Sequence, residues 1–198
     1  MRAKYTYLIA LAILYSFFIN AQSYEEQYEK CSEPLRSLGN KIDSLYLARA
    51  IERDSCLIGS IAPNFNAISI SGEKIELSKL KGQVIVLNFW FTTCEPCIEE
   101  MPALNKLVEH FWGDKVVFLS FANEDKSTLQ RFFKKHTFKF STVANAENIR
   151  KDKFKLLPIW PYTIIIDKAG KINKMNLGSP GENTFDLYKE TIDRLLKK

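Results

Sequence analysis

Cys94 and Cys97 stand three residues apart in the segment Trp90-Phe91-Thr92-Thr93-Cys94-Glu95-Pro96-Cys97. A nearly continuous apolar run ends at Trp90, and a stretch with helical spacing begins at Cys94. Such a junction puts one thiol at the positive end of a helix dipole, where the thiolate is favoured, and thiolate is the attacking species in disulfide exchange. Cys94 is therefore the predicted nucleophile. Cys97, one turn on and predicted to be more buried, would resolve the mixed disulfide by attacking back. Pro96 suits a first helical turn, where a missing amide proton costs little. Glu95 favours the helix start but repels a neighbouring thiolate, so its net effect stays open. Glu100 lies three residues beyond Cys97 on nearly the same helical face. Partly buried, its carboxyl would have a raised pKa and could take and return the proton of the Cys97 thiol. The plainer alternative is an exposed first-turn glutamate, a description that fits Glu99.

Two thiols at this spacing are also half of a zinc site, which needs two further ligands. Cys31 and Cys56 do not make a second C-x-x-C, and His110 and His136 are not at ligand spacing from each other. No metal is expected, and no cofactor beyond the redox-active disulfide Cys94-Cys97. A purely structural bond between these two would close a tiny loop and add little stability.

The elements that must position the pair follow from periodicity. Gln83 to Phe91, interrupted only by Asn88, reads as a central strand buried on both faces. A helix is predicted from about Cys94 to Trp112, with Met101, Leu104, Leu107, Val108 and Phe111 on one side and a kink at Pro102. Further strands are expected at Val116 to Phe121 and Phe140 to Val143, with a helix between them at Ser127 to Lys135. Tyr162 to Asp167 and Lys171 to Leu177 read as an antiparallel hairpin, and Thr184 to Lys197 as a closing amphipathic helix. Upstream, Phe65 to Ile70 and Ile75 to Leu77 flank the turn Ser71-Gly72-Glu73-Lys74 as another hairpin. Tyr24 to about Ser55 shows apolar residues at helical spacing, including Leu35, Leu38, Ile42, Leu45 and Ala48, and reads as two helices broken near Gly39. The fold class is α/β, a mixed central sheet covered by helices, with an N-terminal β-hairpin and a helical N-terminal extension.

At 198 residues, 46% hydrophobic and 26% charged, the chain has the composition of one globular domain with extra sequence. The net charge of +5 falls to +3 without Arg2 and Lys4, and no basic stripe interleaves with aromatics, which argues against nucleic acid as a partner. Arg2 and Lys4 precede an apolar run from Tyr5 to Ile19 and then Asn20-Ala21-Gln22-Ser23. That run is short of the ~20 residues a membrane span needs, so residues 1–21 read as a secretory signal peptide, with an uncleaved anchor as the alternative. Residues 22–58 form the helical extension and 59–198 the main domain. Export places the chain in an oxidising compartment, where Cys31 and Cys56 are expected to tie the two N-terminal helices together; free buried thiols are the alternative.

The chain from Gly59 onward resembles the thioredoxin superfamily and, within it, the TlpA/ResA-like exported thiol-disulfide oxidoreductases. The resemblance is carried by Ala62-Pro63-Asn64-Phe65, Leu77-Ser78-Lys79-Leu80-Lys81-Gly82, Val86-Leu87-Asn88-Phe89-Trp90, Cys94-Glu95-Pro96-Cys97 with Glu100 and Pro102, and Pro161 to Ile172. It implies a thioredoxin-like fold with a cis-proline at Pro161 facing the cysteine pair, Trp160 shaping the substrate groove, and a buried glutamate at Glu100. It also implies that Asn88 stands where thioredoxin proper has a buried aspartate. Phe91-Thr92-Thr93 departs from the more typical Ala-Thr-Trp, and Pro158 and Ile159 stand where a glycine is often found, which leaves substrate preference open.

The function this implies is disulfide reduction in the periplasm. The substrates would be disulfide-containing exported proteins, apocytochrome c during cytochrome c maturation among them, and a membrane thiol-disulfide electron donor would keep the pair reduced. An oxidase or isomerase uses the same residues in the other direction, since about 30 mV changes the equilibrium tenfold. A peroxidase shares the fold, but Leu87 and Phe91 occupy the offsets where a proline and a hydroxyl residue would be needed. A copper-binding module using the two thiols is the non-enzymatic alternative.

Overall fold

The computed structural model describes residues 23–38 and 43–197. The signal-peptide expectation for residues 1–21 and the helix break near Gly39, with Ile42, lie outside the described residues. Two helices open the fold, α1 (Tyr24–Arg36) and α2 (Ser44–Leu57). A capping box starts α1: the Ser23 hydroxyl accepts from the Glu26 amide while the Glu26 carboxylate accepts from the Ser23 amide. Asp43 caps α2 through the Tyr46 amide at 2.9 Å.

A short antiparallel hairpin follows, β1 (Asn66–Ile68) and β2 (Lys74–Glu76). Its turn needs Gly72, which sits at φ +93°, where a side chain would be strained. The main sheet is β3 (Val84–Trp90), β4 (Val116–Ala122), β5 (Ser141–Val143), β6 (Tyr162–Ile166) and β7 (Ile172–Leu177). Their order is β5-β4-β3-β6-β7; β3/β4 and β4/β5 are parallel, β3/β6 and β6/β7 antiparallel. Every residue of β3 is buried, as its apolar run predicts for a central strand. The helices of the main domain are α3 (Glu95–His110), α4 (Lys126–Phe132) and α5 (Thr184–Leu196). The kink expected at Pro102 does not break α3, which is one uninterrupted helix. Pro102 lies on the exposed side of its second turn.

Side chains alternate across a strand, and here the alternation sorts the core into two layers. Val84 and Val86 face α3 and α5, packing with Leu104, Leu107, Ile165, Tyr188 and Ile192. Ile85, Leu87 and Phe89 face the other way, toward Phe65, Phe154 and the N-terminal helices, whose Tyr24, Cys31 and Leu57 belong to the same buried cluster. α1 and α2 are thus packed into the core of the sheet's second face. Three short elements were not anticipated: 3-10 turns at Leu77–Leu80 and Gly181–Asn183, and a π-helical turn at Ile149–Lys153 in the long connection to β6.

Candidate active site

The cysteines lie where β3 hands over to α3. Cys94 is the N-cap residue of α3, its carbonyl accepting from the amides of Cys97 and Ile98 at 3.1 Å. Its own amide donates to the Phe91 carbonyl, so Phe91 to Cys94 forms a tight turn. Cys94 and Cys97 are bonded to each other, with alpha-carbons 5.3 Å apart. Cys94 is 4% exposed and Cys97 2%, a difference too small to rank the two thiols. Position does rank them: Cys94 is at the helix end, where the dipole favours thiolate, and Cys97 is one turn inside. Glu95 and Pro96 in that first turn are exposed.

Glu100 is buried at 2% exposure, on the inner face of α3. The Asn88 amide group donates to Glu100 Oε1 at 2.8 Å and to Thr163 Oγ1 at 3.1 Å. The pleat explains the meeting: Asn88 lies on the α3 side of β3, and Thr163 is its cross-strand partner on β6. Glu100 Oε2 has no hydrogen-bond partner among the described residues; the Ser179 side chain lies near the carboxylate, outside hydrogen-bond geometry. Burial pushes the Glu100 carboxyl up to about 7, against the lowering influence of Asn88 and Ser179. Burial and the nearby Glu100 charge also raise the Tyr188 phenol. A surface cavity of about 340 Å³ between α3 and the Ser179–Glu182 turn reaches Glu100 from the side, with Lys106 on its rim. This arrangement can hold or release one proton near neutral pH, one helical turn behind Cys97.

The loop before β6 supplies the opposite wall. The Trp160–Pro161 peptide is cis. Because Tyr162 pairs with Phe89, Pro161 falls level with Trp90, at the end of β3 from which the chain departs toward Cys94. Trp160 packs against the cluster that contains Cys94 and Cys97 and makes an edge-to-face contact with Phe91, centroids 5.4 Å apart. Trp90, expected with Glu95, Pro96, Trp160 and Pro161 to shape the active site, is placed in the cluster that holds Cys94 and Cys97. Its ring is fully buried behind the pair, packed on Phe132, Phe133 and Phe138, so it supports the site without reaching a substrate.

The model of the AhpC/TSA family matches residues 58–175. The chain is 33% identical over 150 residues to the thiol-disulfide oxidoreductase ResA of Bacillus subtilis, covering 75% of this chain and 83% of that one. The chain belongs to the AhpC/TSA family, as a ResA-type thiol-disulfide oxidoreductase. Solved structures agree on the fold. A Chlorobium tepidum candidate for the thiol:disulfide interchange protein DsbE superposes with a TM-score of 0.62 at 20% identity, over 70% of this chain and 97% of that one. A secreted Mycobacterium tuberculosis disulfide oxidoreductase gives 0.56 at 22% identity, over 66% and 96%.

Three features of this ResA-type protein were not foreseen from its residues. The Glu124 carboxylate accepts from both the amide (2.6 Å) and the hydroxyl (2.7 Å) of Thr92, pinning the turn that carries Cys94. Glu124 follows β4 in the polar loop whose Asp125 caps α4, and no local pattern distinguishes it. Arg150, 4% exposed, donates to the carbonyls of Leu156 (2.8 Å) and Leu157 (3.0 Å) and, through Nε and Nη2, to the Glu147 carboxylate. Those bonds pull Glu147 down to about 2, Arg150 first and then Lys151. On the far face of the sheet, Arg53 and Asp54 are buried together and both bond the Tyr162 hydroxyl. Cys31 and Cys56 are bonded, linking α1 to α2 across a sequence separation of 25. Among the described residues, no cluster of three or more His, Cys, Asp or Glu is placed to hold a metal, and no helix is long and apolar enough to cross a membrane.

Proposed function

We propose that this oxidoreductase is exported and works in the reducing direction, delivering two electrons from the Cys94/Cys97 dithiol to disulfides of exported proteins, oxidised apocytochrome c among them. The Cys94 thiolate attacks one sulfur of the substrate disulfide, and the other leaves as a thiolate that takes up a proton. Cys97 passes its proton to the Glu100 carboxylate, and the resulting thiolate attacks Cys94 Sγ. The Cys94–Cys97 bond forms, and the second substrate thiol is released protonated. A membrane thiol-disulfide donor then returns two electrons and restores the dithiol.

The observation that carries this reading is the bonded Cys94–Cys97 pair at the start of α3 with the Glu100 carboxyl buried one turn behind it, where burial raises that carboxyl to about 7. At neutral pH it is divided between its two protonation states, which is what a proton carrier requires. Charge supports the direction. Thr92 to Glu100 contains three glutamates and no basic residue, so the thiolate of Cys94 gains little help beyond the helix dipole. A couple whose reduced form is not stabilised is a poor oxidant and a good reductant. The apolar segment Tyr5 to Ile19 behind Arg2 and Lys4 supports export, as does likeness to a secreted disulfide oxidoreductase.

The deciding measurement is the midpoint potential of the Cys94/Cys97 couple, taken with insulin reduction by wild type, Cys94→Ser and Cys97→Ser. A potential near the thioredoxin value of about −270 mV, loss of activity in Cys94→Ser and accumulation of mixed disulfides in Cys97→Ser are expected. A potential near −120 mV would assign the oxidase direction instead.

A further inference from the structure

The departure at Phe91-Thr92-Thr93 removes the aromatic that usually precedes the first cysteine, and the structure shows what stands in its place. Phe91 and Trp160 are both half-buried, pack against the cluster holding Cys94 and Cys97, and meet edge to face at 5.4 Å. We propose that these two rings, with Trp160 seated on the Arg150 guanidinium, form a specificity wall that takes an apolar side chain flanking the reacting cysteine of a polypeptide substrate. The inference rests on Cys94 being the sulfur that meets the substrate, because that meeting brings the residues beside the substrate cysteine onto the exposed edges of Phe91 and Trp160.

The wall is held from both ends. Phe91 is fixed by the turn hydrogen bond to the Cys94 amide, and the next residue, Thr92, by two hydrogen bonds to Glu124. Trp160 has no strand neighbour of its own; Arg150 positions it. The guanidinium lies 4.8 Å from the Trp160 ring centre and ties down the carbonyls of Leu156 and Leu157 just upstream. Burying a guanidinium is costly unless its donors are satisfied, and here the Glu147 carboxylate and the two carbonyls meet that need. A rigid aromatic surface orders little on binding, so most of the apolar contact it makes counts toward affinity. The occupant follows from charge. One face of Trp160 already carries a cation, which disfavours a second, and the Glu124 carboxylate beside Thr92 disfavours an acidic residue. A neutral side chain is what remains, and the two aromatic rings favour an apolar one.

The test uses two peptides that carry the same disulfide and differ only in the residue before the attacked cysteine, leucine in one and serine in the other. With reduced wild-type protein, kcat/KM is expected to favour the leucine peptide by about tenfold, the equivalent of roughly 1.4 kcal/mol. In Phe91→Ala the ratio should fall toward one. In Arg150→Lys, which keeps the charge but loses the fork, it should fall partway. A substrate ratio is insensitive to general loss of stability, so it separates positioning from folding. Equal rates for the two peptides in wild type, or a wild-type ratio in Phe91→Ala, overturn the wall. If wild type reduces neither peptide, the reductase reading is what fails. The oxidised protein is then given the same two peptides as dithiols, and the leucine-to-serine ratio in that direction decides the wall on its own.

Discussion

A carboxyl group 2% exposed, with one oxygen held by Asn88 and the other unpartnered, is poised between charge states by its surroundings. Asn88 steadies Glu100 as a neutral donor, where an aspartate at that position would add a second negative charge. Glu100→Gln keeps the shape and the contact to Asn88 and removes the proton acceptor. It should slow the attack of Cys97 on a preformed Cys94 mixed disulfide by roughly 10²-fold. The wild-type rate should rise with pH through about 7, and the variant's should lose that step; single-turnover kinetics across pH read both. Stability carries the same signature. The folded state holds the Glu100 proton more tightly than the unfolded chain does, so the group's contribution is complete below about 4.5 and is lost as pH rises through about 7. The oxidised wild type should lose on the order of 3 kcal/mol across that window relative to Glu100→Gln, measured by urea melts at several pH values.

At the scale of elements, α2 brings two charges into the core. Arg53 Nη2 reaches Asp54 Oδ1 at 2.6 Å and the Tyr162 hydroxyl at 3.2 Å, and that hydroxyl donates to Asp54 Oδ2. Asp54→Ala leaves Arg53 buried and unpaired and should cost about 3–5 kcal/mol, whereas the double replacement Arg53→Met with Asp54→Leu should cost far less. A double-mutant cycle in thermal melts measures the difference; equal costs would mean the pair is more open to water than its burial indicates. The Cys31–Cys56 bond joins α1 to this helix. Replacing both cysteines by serine should lower stability by roughly 3 kcal/mol through the freer unfolded chain. Activity toward a small disulfide should survive, because neither cysteine is near Cys94.

For the molecule as a whole, the central sheet separates two kinds of work. On one face, α3 and α5 enclose Asn88, Thr163 and Glu100 behind the cysteine pair. On the other, α1 and α2 pack on the sheet and on the segment leading to Trp160. There Tyr24 donates to the Phe154 carbonyl, and Lys155 pairs with Glu25 and Glu29. Deleting residues 23–57 should therefore lower Tm by roughly 10 °C or more, since Tyr24 and Leu57 alone bury several kcal/mol of apolar surface. A deletion that melts like the full chain would show the helices to be an independent appendage. The elements around the site were legible in sequence because local rules govern them. An apolar run of strand length, a helix with a cysteine at its start and a glutamate one turn beyond Cys97 all depend on near neighbours. Asn88 was legible as a break in that run, though not as the partner of Glu100. Arg150 under Trp160, Glu124 on Thr92 and Arg53–Asp54 on Tyr162 were not legible. Each joins residues far apart in the chain, or residues brought together by a π-helical turn with no composition of its own. Thiol spacing and strand-to-helix order are local properties, so the chemistry is legible in the chain alone. What holds that chemistry in place is set in three dimensions, because the period-2 pleat and the strand order choose which distant side chains share a buried face.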